Sequence, residues 1–105
     1  MAYFAHDRFG NMIPWPTTAQ LEQLLASLDW GGKHEHPDVS VTHETGWCVS
    51  VFQNGVTVLE NVQTNEGPWH ILGATSDYIL SLWHLLAEGN IDTVRSGDWQ
   101  PGYGS

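Results

Sequence analysis

At 105 residues the chain has room for one hydrophobic core and not for two, and 41% apolar content with six tryptophans argues against disorder. Twelve acidic and three basic residues give a net charge of −9, spread over both halves, which disfavours nucleic-acid phosphates and anionic membranes as partners. Cys48 is the single cysteine, so an internal disulfide is excluded; no leader-like start or membrane-length apolar run is visible, and a cytoplasmic protein is expected.

In chain order, "AYFAHDRFGNMIPW" reads as a short strand with a turn at Gly10-Asn11, and Pro14 and Pro16 are expected to keep the backbone irregular up to the first helix. Thr17 with Gln20 fits a capping box. Leu21, Leu24, Leu25 and Leu28 then recur at i, i+3, i+4 and i+7, one apolar stripe of a helix. Gly31-Gly32 is expected to end that helix through a left-handed cap, with Trp30 folding back over the stripe.

Three alternating segments follow: "DVSVTH", "WCVSVFQ" and "VTVLENV". A three-residue turn at Glu44-Thr45-Gly46 pairs His43 with Trp47, Val41 with Val49 and Val39 with Val51. Asn54-Gly55 is the residue pair of a two-residue type I′ hairpin, which would set Val51 opposite Val58, Val49 opposite Glu60 and Trp47 opposite Val62. "PWHILG" reads as a fourth strand. Thr75 or Ser76 caps a second helix with Asp77 in its first turn, Ile79, Leu82, Trp83 and Leu86 on one stripe, and Gly89 as its stop. "NIDTV" suits a further helical turn, and "DWQPGYGS" an irregular tail.

The expected architecture is a single α+β domain over residues 1–105: an antiparallel meander of three to four strands with two amphipathic helices packed on one face. Its core would set the two helical stripes against Val39, Val41, Trp47, Val49, Val51, Val58 and Val62.

The histidines are the first candidates for chemistry. His34, His36 and His43 lie close in sequence, yet strand parity sends His43 to the core face and the other two elsewhere, with Pro37 between. The "HEH" triplet resembles the cupin metal motif, but Glu44 follows too late to be its acid, so no metal is expected. Glu60, opposite Val49 in the register above, could reach His43 diagonally, as an acid/base pair or as a structural one. Ser50 and Cys48 sit in mid-strand on the other face and form no nucleophile elbow. His70 and His84 read as surface residues. No catalytic residue and no cofactor is therefore expected.

The other sheet face would carry Cys48, Phe52 and Leu59 among Ser40, Thr42, Ser50, Thr57 and Asn61, semi-apolar and uncovered. Trp15, Trp69, Trp99 and Tyr103 belong to no helical stripe, and such aromatics are loop anchors or contact hot spots. An acidic rim around aromatic anchors is what a protein that binds a basic protein would show.

The stretches "HPDVSVTHETGWCVSVFQNGVTVLEN" and "LWHLLAEGNIDTVRSGDWQPGYG" resemble, in size, charge and helix–sheet layout, the small acidic bacterial immunity proteins of contact-dependent inhibition and other polymorphic toxin systems. The likeness covers roughly residues 37–104 and has no sharply defined motif. It implies a non-enzymatic inhibitor of a cognate basic toxin domain of nuclease or deaminase type, with acidic residues standing in for phosphates. The surface pattern puts the contact candidates at Glu35, Asp38, Glu44, Phe52, Leu59, Glu66, Trp69, Asp98, Trp99 and Tyr103, on a chain expected to be monomeric. The alternatives are a small metal-binding or His/Glu-dependent enzyme, using His43 with Glu60 or His34 with His36, and a regulatory subunit that dimerises through the open sheet face.

Overall fold

The computed structural model of the chain describes residues 3–7, 9–28, 38–52 and 55–102. Among them, strands β1 (Tyr3–His6), β2 (Met12–Pro14), β3 (Asp38–His43), β4 (Trp47–Phe52), β5 (Thr57–Asn61), β6 (Trp69–Ile71) and β7 (Gln100–Pro101) form one sheet. Their order is β2-β1-β3-β4-β5-β6-β7, and every neighbouring pair is antiparallel. Helices α1 (Thr18–Ala26), α2 (Ser76–Glu88) and α3 (Ile91–Arg95) accompany it. The mixed class with an antiparallel sheet matches the expectation, but seven strands and three helices replace the three to four strands and two helices read from the sequence.

The strands that periodicity missed lie at the sheet's edges. Each edge strand holds a proline, Pro14 in β2 and Pro101 in β7. Proline cannot donate to a ladder, and an edge strand tolerates that loss while becoming a poorer template for further pairing. The segment expected to be irregular because of Pro14 is thus the edge of a hairpin, and the tail expected to be irregular supplies β7. Asp7 closes the β1–β2 turn by accepting from the Phe9 and Asn11 backbone N–H groups, both at 2.9 Å, and from Asn11 Nδ2 at 3.1 Å. Burial pushes the Asp7 carboxyl upward, but these hydrogen bonds outweigh it and hold the group below the usual aspartate range.

Helix α1 starts with the capping box: Gln20 N–H donates to Thr17 Oγ1 and Thr17 N–H to Gln20 Oε1. It stops earlier than expected, at a Ser27 cap whose hydroxyl donates to the Leu24 carbonyl at 2.6 Å. Leu28 stays buried beyond that cap, in a tighter turn whose N–H donates to the Leu25 carbonyl. The cap expected at Gly31-Gly32, and Trp30 before it, lie outside the described residues. Helix α2 is capped by Thr75, the first of the two caps the sequence offers, and ends at Gly89 in the left-handed conformation as read from the sequence.

The apolar stripes converge on one sheet face. Leu21, Leu24, Leu25 and Leu28, the α2 residues Ile79, Leu82, Trp83 and Leu86, and Val94 of α3 form one cluster with Ala5, Val39, Val41, Trp47, Val49, Val51 and Leu59. Trp83 is fully buried, and its indole N–H donates to the Val49 carbonyl at 3.1 Å, so the largest core side chain leaves no orphan donor.

The β3–β4 register is the one expected, with Val41 opposite Val49 and Val39 opposite Val51. The β4–β5 register is not. Val49 lies opposite Leu59, Ser50 opposite Val58 and Cys48 opposite Glu60. The hairpin closes between Phe52 and Val56, with Gly55 at φ 86, so three residues rather than two occupy the loop. A slip of one residue turns every β5 side chain to the other face. Leu59 therefore enters the core and is 1% exposed, while Val58 packs on the opposite face and Val62 is 56% exposed. The reason is visible in the sequence afterwards: the two-residue turn would have aimed the Glu60 carboxylate into the helix-covered core, which is costly without a partner charge.

The helix-free face is also less open than expected. Ser40, Thr42, Cys48, Ser50 and Val58 are all buried, flanked by the half-buried Phe4, His6, Phe52, Glu60 and His70. Among the described residues no helix is long and apolar enough to cross a membrane.

The register carries a direct test. Leu59→Ala is expected to destabilise the fold by about 2–5 kcal/mol, as for a buried leucine, and Val62→Ala by no more than about 0.5 kcal/mol. Urea denaturation of the two variants measures both, and a reversed order would restore the two-residue turn.

Candidate functional site

At the end of the sheet where β3 turns into β4, two loops are locked together by one buried amide. Asn61 is 3% exposed; its Oδ1 accepts from the N–H groups of Gln63 at 2.9 Å and Thr64 at 3.0 Å, and its Nδ2 donates to the Thr45 carbonyl at 3.2 Å. Gln63 Nε2 adds a bond to the Glu44 carbonyl at 2.8 Å. Gly46 sits at φ 95 against this amide, and a Cβ there would run into Asn61 Oδ1 and the Gln63 side chain. The clamp sets the path of residues 62–68 and hence the position of Glu66, whose Oε1 accepts from Thr64 Oγ1 at 3.0 Å.

Aromatic rings stand beside that loop. Trp47 of β4 and Trp69 of β6 stack at 6.2 Å between ring centroids, 26° apart in plane. The Arg95 guanidinium, at the end of α3, lies 4.6 Å from the Trp47 ring centroid and 4.0 Å from Glu66 Oε2. Trp99 donates its indole N–H to the Val94 carbonyl at 2.8 Å, which pins its ring against α3. Leu59, Trp69, Arg95, Gly97 and Trp99 together line a cleft of about 240 Å³. A second groove of about 360 Å³ runs along Glu60, Asn61, Val62 and residues 65–68, with two carboxylates on its walls.

Of the sequence candidates, Trp69 and Trp99 line this cleft, Glu66 reaches it through Arg95, and Asp98 adjoins Trp99 in the chain. Glu44 is exposed in the clamped β3–β4 turn. Asp38 and Phe52 face each other at the opposite end of the β3–β4 hairpin, away from the cleft. Leu59 is a correction: it is the floor of the cleft and part of the core, not an exposed contact. Glu35 and Tyr103 lie outside the described residues. Sequence reasoning missed Arg95 and Gly97, and it assigned Trp47 to the core alone. The signal for Arg95 was its rarity, as one of three basic residues in the chain.

The His43–Glu60 pair does not form. Glu60 lies on the helix-free face opposite Cys48, whereas His43 is buried on the helix side, its Nδ1 accepting from Thr45 N–H at 3.2 Å and lying 2.9 Å from Thr45 Oγ1. A backbone N–H can only donate, so the neutral ring carries its proton on Nε2, a buried atom with no hydrogen-bond partner among the described residues. His70 is half-buried with its Nδ1 3.0 Å from the Gly102 carbonyl, and His84 is half-buried on α2. Among the described residues no three His, Cys, Asp or Glu side chains converge as metal ligands would; His34 and His36 lie outside them. Burial, reinforced by the Glu60 charge, pushes the Cys48 thiol up despite opposing hydrogen bonds from Thr42, Ser50 and Ser40. A protonated, enclosed thiol is a poor nucleophile.

No family model, curated protein or solved structure matches the chain.

Two measurements check these assignments. Asn61→Ala is expected to cost about 1–3 kcal/mol, the range for stranding buried hydrogen-bonding groups, and to speed amide exchange at Gln63 and Thr64. Alkylation of Cys48 at neutral pH is expected to be at least roughly ten-fold slower in the folded protein than in urea, because thiolate character and access are both suppressed.

Proposed function

We propose that this chain is a non-enzymatic immunity-type protein that binds and neutralises a basic toxin domain through the acidic, tryptophan-bearing end of its sheet. The observation that carries the reading is a cleft walled by Trp69 and Trp99, with Glu66 on a second groove and 4.0 Å from Arg95, the cleft's one charged wall, on a chain of net charge −9 with Glu44 exposed in the clamped turn. The resemblance to small acidic immunity proteins points the same way.

The physics divides the work between charge and rings. A strongly negative surface accelerates encounter with a cationic partner and orients it, an effect that salt screens. Immobilised indoles supply apolar area with little ordering cost, and they set the lifetime of the complex. Carboxylates on the groove walls would occupy the sites where a nuclease or deaminase holds nucleic-acid phosphates, which blocks the substrate without any chemistry by this chain.

Two features bear on the alternatives. The separation of His43 from Glu60 removes the pair on which a His/Glu enzyme was to rest. A dimer through the helix-free face would rest on a centre that is already buried, although the β1–β2 edge exposes Met12 at 60% and Trp15 at 61%. Light scattering of the purified chain is expected to give a monomer mass.

The test begins with the gene adjacent to this one: it is expected to encode a basic, toxin-like domain that binds this chain, and a neighbour with no such domain would overturn the proposal. Association is expected to slow by roughly ten-fold or more between low and physiological salt. Trp99→Ala is expected to raise the dissociation rate, costing about 2 kcal/mol or more as a hot-spot truncation. Stopped-flow kinetics reads both, and binding that is insensitive to salt would overturn the proposal.

A further inference from the structure

We infer that the cleft walled by Trp69 and Trp99 binds a small aromatic carboxylate, a one-ring monoanion held by Arg95. Its size suits such a ligand, since about 240 Å³ lies below the roughly 300–1,000 Å³ of sites for larger molecules. The floor is the buried Leu59, and both indole walls are fixed, Trp69 by its stack on Trp47 and Trp99 by its bond to the Val94 carbonyl. A flat ring against indoles gains aromatic contacts that an aliphatic acid does not.

The hydrogen-bonding groups of the cleft select the charge of its occupant. Arg95 is the one charged wall; with Glu66 at 4.0 Å and the Trp47 ring centroid at 4.6 Å, its guanidinium makes no hydrogen bond among the described residues. The Trp69 indole N–H is likewise without a hydrogen-bond partner among them. The Gly97 carbonyl, by contrast, already accepts from the Trp99 backbone N–H at 2.8 Å. Donors are unspent where an acceptor is engaged, so an occupant that accepts fits better than one that donates. A guanidinium fork offers two parallel N–H groups, the pattern that a planar carboxylate takes.

Two charges oppose an anion, and neither outweighs direct contact with Arg95. Glu66 pairs with the guanidinium only loosely, both side chains 47% exposed, and such pairs contribute little in water. The net charge of −9 is spread over both halves of the chain and is screened beyond about 8–10 Å at moderate salt. That field still favours a monoanion over a phosphate dianion, which it repels more strongly. The cation–π contact with Trp47 meanwhile holds Arg95 in place without using any of its donors.

The experiment titrates benzoate, benzamide, acetate and benzylammonium into the isolated full chain. The indole N–H resonances of Trp69 and Trp99 report occupancy, and that of the buried Trp83 serves as the control. Benzoate is expected to shift the first two and leave the third, with a dissociation constant on the order of a millimolar. Benzamide, which keeps the ring and loses the charge, and acetate, which keeps the charge and loses the ring, are each expected to bind about ten-fold more weakly. Arg95→Gln is expected to weaken benzoate about ten-fold and to leave benzamide unchanged. Glu66→Gln, which removes the competing carboxylate, is expected to tighten benzoate by up to about five-fold. Equal binding of benzamide, tighter binding of benzylammonium, or no shift at Trp69 and Trp99 overturns the inference. So does benzoate affinity that is unchanged in Arg95→Gln or lowered in Glu66→Gln. None of these readouts involves a toxin, so the carboxylate site and the proposed basic partner stand or fall separately.

Discussion

The position of Leu59 is the constraint on which the rest of the molecule depends. With Leu59 opposite Val49, β5 completes the apolar floor beneath α2 and α3, and Glu60 leaves it. The same register brings Asn61 opposite Trp47, where its amide can bind both the Thr45 carbonyl and the backbone of residues 63 and 64. Had the strand slipped by one residue, an acid would sit in the core, the amide clamp would point away from its loops, and the cleft would have no floor. A burial preference worth a few kcal/mol thus decides where the candidate contact surface lies.

From that point the site is assembled by elements far apart in sequence. Trp47 comes from β4, Glu66 from the β5–β6 loop, Trp69 from β6, Arg95 from α3 and Trp99 from the segment leading into β7. Each is held by a contact within the chain: a ring stack for Trp47 and Trp69, a threonine hydroxyl for Glu66, a backbone carbonyl for Trp99, and the Trp47 ring with Glu66 for Arg95. Such fixing lowers the entropy lost on binding, so half-buried rings and exposed charges can act as anchors rather than as mobile decoration.

The opposite face shows a different use of small polar residues. Ser40, Thr42, Ser50 and Cys48 occupy the centre of the helix-free surface and are buried, while longer side chains at their flanks are half-buried. Large exposed apolar side chains lie elsewhere, among them Met12 and Trp15 at the β1–β2 edge, where Trp15 adopts φ 44 between two prolines. That conformation is unusual for a tryptophan, and its N–H is spent on the Tyr3 carbonyl at 3.1 Å.

Local sequence alone determined where α1 begins, the whole of α2 and the β3–β4 hairpin. The capping box at Thr17, the leucine and Ile79/Trp83 stripes, the Gly89 stop and the β3–β4 register are all consequences of side-chain spacing and turn chemistry within a few residues. Half of the candidate site, Glu66, Trp69, Asp98 and Trp99, was legible as acids and rings left over from any stripe. Tertiary structure decided the remainder: the three-residue loop before Val56, because core burial outweighed the preference of Asn54-Gly55; the edge strands with Pro14 and Pro101, because pairing there depends on distant partners; and the cleft itself, because Arg95 and Leu59 meet Trp69 and Trp99 only after the sheet and α3 have packed.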